Sequence, residues 1–312
     1  MAVRSMRFGV CLPQHGASWS EVVETARVCD RLGYDSLWAV DHFVGIPDGT
    51  VSLLEGWTEV AALAGVTSRI RLGHLVLCVS YRLPSVLAKM AATLDQATGG
   101  RFVLGMGAGW HQFEYQAYGI PFPRVGTRLE QLDEALTIIR KMWTEEPASF
   151  AGKHFQVTDA YCRPHPVQTP HPPILVGGTG ERVLLRLVAK HADIWNNLGI
   201  AHPQLPHKLD VLRRHCDAVG RDFGSIEISQ QTIAAIGANE ATARRATDAI
   251  RAELPFLSGG DDLIIAGTPD ECITRVERSA AMGITTLILS FGRVPAIESL
   301  ELFAEKVMPA FR

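Results

Sequence analysis

RFVLGMGAGW, Arg101 to Trp110, decides how the rest of the chain is read. It is a short apolar strand that runs into three alternating glycines, Gly105, Gly107 and Gly109. A dinucleotide-binding loop would carry G-x-G-x-x-G straight into a helix. Here the third glycine comes one residue too soon. Trp110-His111-Gln112, further aromatic residues, Pro121 and Pro123 follow before any clear helix. The strand also lies far from the N-terminus, where a Rossmann half usually begins. We therefore reject that loop. The glycines are read as room for a close approach to something bulky, either a neighbouring strand or a flat ligand ring. On the second alternative Gly107 is a contact for the ring.

Around this stretch one pattern repeats: apolar strand, turn, amphipathic helix, glycine, next strand. RFGVCLPQ (7–14) is strand one. Ser18 and Glu21 form a capping box for the next helix, which Gly33 ends. YDSLWAVDH is strand two, 57–66 a helix and IRLGHLVLCV strand three. A helix over 84–98, closed by Gly99-Gly100, leads into RFVLGMG as strand four. Thr127 and Glu130 suggest a second capping box, with Leu129, Leu132, Leu136, Ile139 and Trp143 following at helical spacing. PPILVGG is strand five, 181–190 a helix, ADIWNN strand six and 208–219 a helix. SIEISQQTIAAIG is strand seven and 239–254 a helix. Thr268-Pro269-Asp270-Glu271 opens another helix, which Gly283 ends, and ITTLILSF is strand eight before a final helix over 297–311. Eight such units predict an α/β chain folded as a (β/α)8 TIM barrel, one domain over 1–312. Two connections are long, 110–125 and 145–171. The second contains FAGKHFQV, which reads as a small hairpin, and loops of this length usually cover a site.

Bulk properties exclude several classes. The 312 residues are 47% hydrophobic, ample for a large core, and carry a formal net charge of −3. Arg213-Arg214 and Arg244-Arg245 are isolated pairs, so no basic stripe for nucleic acid is expected. The N-terminal residues lack a secretory hydrophobic run, and no apolar run is long enough to span a membrane. Cys11, Cys29, Cys78, Cys162, Cys216 and Cys272 form no C-x-x-C pair, which argues for reduced thiols in a cytoplasmic protein and against structural zinc.

Several residues are candidates for chemistry. ILVGGTGE delivers Gly177, Gly178, Thr179 and Gly180 from a strand into a helix. Free amides and the helix N-terminus there suit a phosphate, although an ordinary glycine turn has the same sequence. Asp41-His42 closes strand two, at the barrel end that carries active sites, and an imidazole there can act as acid or base. Leu75, Val76 and Cys78 end strand three as an apolar bed for a ring or as plain core. His111 follows the glycine strand. Trp195 and Asn196 end strand six, where Asn196 serves either a cofactor tail or a turn. His154, His165 and His171 match no metal motif, and no metal is expected.

Taken together, RFGVCLPQ, LWAVDH, RIRLGHLVLCVSYRLPSVLAKMAATLDQATGGRFVLGMGAGW, ILVGGTG and ERVLLRLVAKHADIWN resemble the bacterial-luciferase-like superfamily. The nearest likeness is to the branch of oxidoreductases that uses coenzyme F420, the 5-deazaflavin. The resemblance implies a TIM barrel with insertions, with the cofactor ring across its C-terminal mouth. It implies a cis peptide joining Leu75 to Val76 behind the ring and a cofactor phosphate on Gly177 to Gly180. It implies a homodimer acting on a small-molecule substrate by hydride transfer. His42 falls where sugar- and alcohol-oxidising relatives place a catalytic histidine, with Asp41 expected to support it. Those dehydrogenases carry a glutamate and an asparagine where this chain has Trp110 and Phe113, a departure that counts against a sugar-phosphate substrate and against carrying their alcohol-oxidation mechanism over unchanged. Two alternatives share the fold: a monooxygenase using reduced FMN and oxygen, and a binding protein without turnover. Deazaflavin differs from FMN in its longer acidic tail, for which Arg182 and Lys190 are the nearby cations.

Overall fold

Local sequence chemistry starts the fold as expected. In the computed structural model, which describes residues 5–46, 49–253, 264–292 and 296–312, β1 (Arg7–Cys11) leads to α1 (Trp19–Leu32). Ser18 and Glu21 cap α1 reciprocally, and Gly33 ends it in the left-handed region at φ +81°. β2 (Ser36–Ala39), α2 (Gly56–Leu63), β3 (Arg71–His74), β4 (Leu77–Cys78), α3 (Pro84–Thr98) and β5 (Phe102–Gly107) follow. Next come α4 (Gln112–Ala117), α5 (Val125–Thr144), β6 (Ala148–Ala151), β7 (Gln156–Ala160), β8 (Ile174–Gly177), α6 (Leu184–His191), β9 (Ile194–Leu198) and α7 (Leu205–Val219). The chain continues through β10 (Glu227–Ile236), α8 (Glu240–Glu253), β11 (Ile264–Gly267), α9 (Pro269–Ala281), β12 (Thr286–Ser290) and α10 (Ile297–Lys306).

The parallel sheet runs β1-β2-β3-β5-β8-β9-β10-β12 and closes back on β1, where Val10 stands opposite Leu289. These are the eight strands expected from the sequence, and the fold is a (β/α)8 barrel. Inside it, Cys11, Trp38, Leu75, Val103, Leu175, Ile194 and Ile288 form a plug. The larger core, including Phe8, Leu37, Leu72, Phe102 and Trp195, fills the space between strands and helices. The two sets alternate along each strand, as the period of two requires.

That alternation explains the glycines. Phe102, Leu104 and Met106 pack outward, so Val103, Gly105 and Gly107 face inward. A Cβ on Gly105 would lie 1.8 Å from the His74 carbonyl oxygen, and one on Gly107 would lie 2.6 Å from a Val76 methyl. Gly177 on β8 meets Val76 from the other side, at 2.9 Å. The peptide between Leu75 and Val76 is cis. Gly109, at φ +73°, passes against Tyr115 and Cys78. The bulky object is therefore the chain itself, the segment from His74 to Cys78.

Several expectations change. Strand three is interrupted between His74 and Leu77, and the peptide that joins Leu75 to Val76 there is cis. α5 begins at Val125 after an extended Arg124, so Thr127 lies inside the helix and caps nothing. α6 begins at Leu184 rather than at Glu181, and α7 at Leu205 rather than at Lys208. α4 and β11 were not expected: both are short, and β11 pairs with the end of β10 beyond its pairing with β12. The hairpin is present as β6 and β7. The end of the 239–254 helix at Leu254 lies outside the described residues. No helix among the described residues is long and apolar enough to cross a membrane.

Candidate active site

A parallel barrel brings every strand's C-terminal end to one rim. His42 after β2, the 75–78 segment after β3, the 110–114 segment after β5 and the glycine turn after β8 all leave the barrel there. Glu114 organises the first of these. Its Oε2 lies 2.7 Å from His42 Nδ1 and accepts from the Tyr81 hydroxyl at 3.2 Å. Its Oε1 accepts from the amides of Phe43 and Val44 at 2.6 and 3.1 Å. His111 Nδ1 is 3.2 Å from the same Oε2. The Glu114 side chain is fully buried. Burial works to raise its carboxyl, but the hydrogen bonds it accepts from His42 and from the two amides outweigh it and hold the group at about 2. The carboxylate is thus ionised, and the bond it accepts fixes the Nδ1–H tautomer of His42.

Aromatic rings wall this cluster. Phe43 stacks on Tyr81 at 4.5 Å, and the Trp110 ring meets His42 edge-on at 5.7 Å. Trp110 is 62% exposed and Phe113 48%, so the rim is apolar on the solvent side. Donor atoms of His42, His111 and Glu114 lie within 4.8 Å of one another, a set that could also hold a divalent cation. The three loop histidines are occupied elsewhere: His154 on Glu130, His165 beside Glu146 and His171 on the Pro172 carbonyl.

Asp41 does not support His42. Its carboxylate takes both terminal nitrogens of Arg82 at 2.9 Å and the Cys78 amide at 2.8 Å, and Arg82 also reaches Glu55. Adjacent residues of an extended chain point to opposite sides. Asp41 therefore anchors the 78–82 segment from behind, and the expected pairing with His42 is corrected to Glu114. Cys78 is likewise turned away from the mouth: its sulfur contacts the Tyr115 hydroxyl at 2.8 Å, and burial pushes the thiol up to about 11. Leu75 is buried in the barrel plug, with Val76 half-buried above it.

At the end of β8, Gly178 donates its amide to the Asn196 carbonyl and accepts from Trp195 Nε1 at 2.9 Å. The Asn196 side-chain oxygen accepts from Ser229. Trp195 and Asn196 are both buried and hold the glycine turn from below. Gly178, at φ +135°, takes a backbone that side chains rarely adopt, and a Cβ there would lie 2.7 Å from Leu184. Lys208, buried on α7, donates to the Thr179 carbonyl at 2.8 Å. Among the described residues the amides of Thr179, Gly180 and Glu181 donate to no protein acceptor. They remain available to an anion.

Sequence reasoning missed Glu114, Tyr81, Arg82 and Lys208. One signal for Glu114 existed: it stands three residues after His111, a spacing that meets on one helix face. The surrounding aromatics and prolines hid the short helix α4.

Comparison with known proteins agrees with this architecture. A Mycobacterium tuberculosis protein described as uncharacterized is 37% identical over 186 residues, 54% of this chain, and the match spans 64% of that relative's length. An F420-dependent glucose-6-phosphate dehydrogenase of Microbacterium testaceum is 24% identical, with 98% of each chain covered. The solved structure of an F420-dependent secondary alcohol dehydrogenase, in complex with an F420-acetone adduct, superposes with a TM-score of 0.84 at 20% identity over 99% of both chains. A sequence model of the family described as luciferase-like monooxygenase matches residues 6–259, and the chain belongs to that family.

Proposed function

We propose that the protein is an oxidoreductase that transfers a hydride between deazaflavin F420 and a small organic substrate at the barrel mouth. The observation that carries this reading is His42, held at the rim by a buried, ionised Glu114. F420 dependence is supported by the Microbacterium relative, similar along nearly its whole length. The residues present fit the group. The free amides at Thr179 to Glu181 suit its phosphate, and Val76, half-buried above the barrel plug, offers an apolar support for its ring. When bound, the cofactor supplies the carbon that accepts or returns the hydride.

The remaining chemistry belongs to the chain. With Nδ1–H directed at Glu114, Nε2 of His42 is the ring atom that takes a proton from a substrate hydroxyl during oxidation, or returns one during reduction. Glu114 stabilises the imidazolium formed in the first case. Trp110 and Phe113 line the approach and exclude water. They stand where the sugar- and alcohol-oxidising relatives carry a polar pair, which argues against a sugar-phosphate substrate.

The family's description favours a second reading, an FMN-dependent monooxygenase. The glycine turn fits both cofactors, which share a ribityl phosphate. Separate fluorescence titrations with F420 and FMN test the choice. Micromolar or tighter binding of F420, with FMN much weaker, is expected. Preference for FMN sinks the hydride-transfer reading and directs the search to oxygen consumption. Binding of neither removes the role given to residues 177–180. With cofactor bound, a His42→Ala variant that turns over every accepted substrate at the wild-type rate would favour a role without catalysis at this residue.

A further inference from the structure

Beside the glycine turn lies a surface cavity of about 400 Å³, lined by Glu181, Arg182, His207, Val211, Arg214 and His215. Four of these residues come from one face of α7, at the spacing 207, 211, 214 and 215. The cavity is built onto the turn. His215 Nε2 bonds the Glu181 carbonyl at 2.9 Å, and Lys208 from the same helix bonds the Thr179 carbonyl. The single carboxylate in the cavity is already engaged: Glu181 takes Lys208 at 3.0 Å and His207 at 3.1 Å. Arg182 and Arg214 are exposed and have no hydrogen-bond or ion-pair partner among the described residues. Two uncompensated guanidinium groups therefore face a cavity whose lining begins at Glu181, the residue after Gly180.

We propose that this cavity holds the acidic tail of the deazaflavin, with Arg182 and Arg214 binding its carboxylates. The inference rests on the F420 reading above and adds to it a site that discriminates between the cofactors. A tail leaving a phosphate on the amides of Thr179 to Glu181 meets Arg182 first and the α7 face next. Guanidinium groups match carboxylates in shape and charge. FMN ends at its phosphate and has no group to place here, and neither has the tailless deazaflavin chromophore. Both arginines are exposed, so their contribution is modest and falls with salt.

Fluorescence titrations of the full chain and of the double variant Arg182→Ala/Arg214→Ala test the proposal, using F420, the tailless deazaflavin chromophore and FMN as probes. The variant is expected to bind F420 roughly tenfold more weakly. Its affinities for the other two probes stay at wild-type values, and the F420 difference shrinks as salt is raised. Both substitutions are at the surface, and a circular-dichroism melt checks that the fold is retained. Wild-type binding of F420 with an unchanged affinity in the variant overturns the cavity assignment and leaves the hydride-transfer reading standing. Equal losses for all three probes overturn it too, because the arginines would then not be reading the tail. Failure of the wild-type protein to bind F420 removes the functional reading itself, and this inference with it.

Discussion

His42 Nδ1 lies 2.7 Å from Glu114 Oε2, although 72 residues separate them in sequence. The same carboxylate holds the amides of Phe43 and Val44, so it fixes both the ring and the loop that carries the ring. Glu114→Gln keeps the shape but removes the charge, and its amide can present either oxygen or nitrogen to the imidazole. We expect turnover to fall roughly 100-fold, with a much smaller change in KM, because Glu114 acts through His42. Nitrogen chemical shifts of the His42 ring should show one tautomer in the wild-type protein and a mixture in the variant. Unchanged turnover together with an unchanged ring spectrum would show that Glu114 only builds the loop.

The meeting of β5 and β8 with the 75–76 segment gives a second expectation. Gly107→Ala places a methyl 2.6 Å from a Val76 methyl, in a part of the barrel that has no slack. Overpacking of this kind costs about 1–3 kcal/mol. The double variant Gly107→Ala/Val76→Ala removes the opposing methyl and should recover most of that loss. Denaturant unfolding of the two single variants and the double variant checks it as a cycle. An additive result, with no recovery in the double variant, would mean that Gly107 is required for another reason.

The barrel was legible because each of its eight strands carries an apolar run bounded by a turn residue or a cap. Short elements were not. β11 is four residues long and α4 six, too short for either period to declare itself. The site was half legible. His42 follows from its place at a strand end, whereas its partner follows from the folded path of the 110–125 connection. Asp41 is next to His42 in sequence and faces Arg82 in space. The glycines of the opening stretch require a close approach, and only the fold shows that His74, Val76, Cys78 and Tyr115 make it.

Glu59 on α2 gives a pH expectation independent of catalysis. Its side chain is buried, and neither carboxyl oxygen has a hydrogen-bond partner among the described residues. Burial raises it first and nearby Glu55 adds to that. Gln14 offsets little, since its amide group is given to the carbonyls of Val40 and Leu54. The group is pushed up to about 8 from the ordinary 4.5. Between those values the folded chain holds a proton that the unfolded chain releases. The stability contributed by this group is complete below pH 4.5 and is lost as pH rises to about 8, at about 1.4 kcal/mol per pH unit. His74, held neutral down to about 3 by its burial, slopes the other way at lower pH, but equally in any Glu59 variant. Glu59→Gln keeps the volume and cannot ionise. Its stability relative to wild type should therefore be level below pH 4.5 and improve steadily up to pH 8. Urea unfolding of both proteins across that range reads the difference directly. Parallel curves would show that Glu59 titrates normally in the folded chain, through solvent reaching α2.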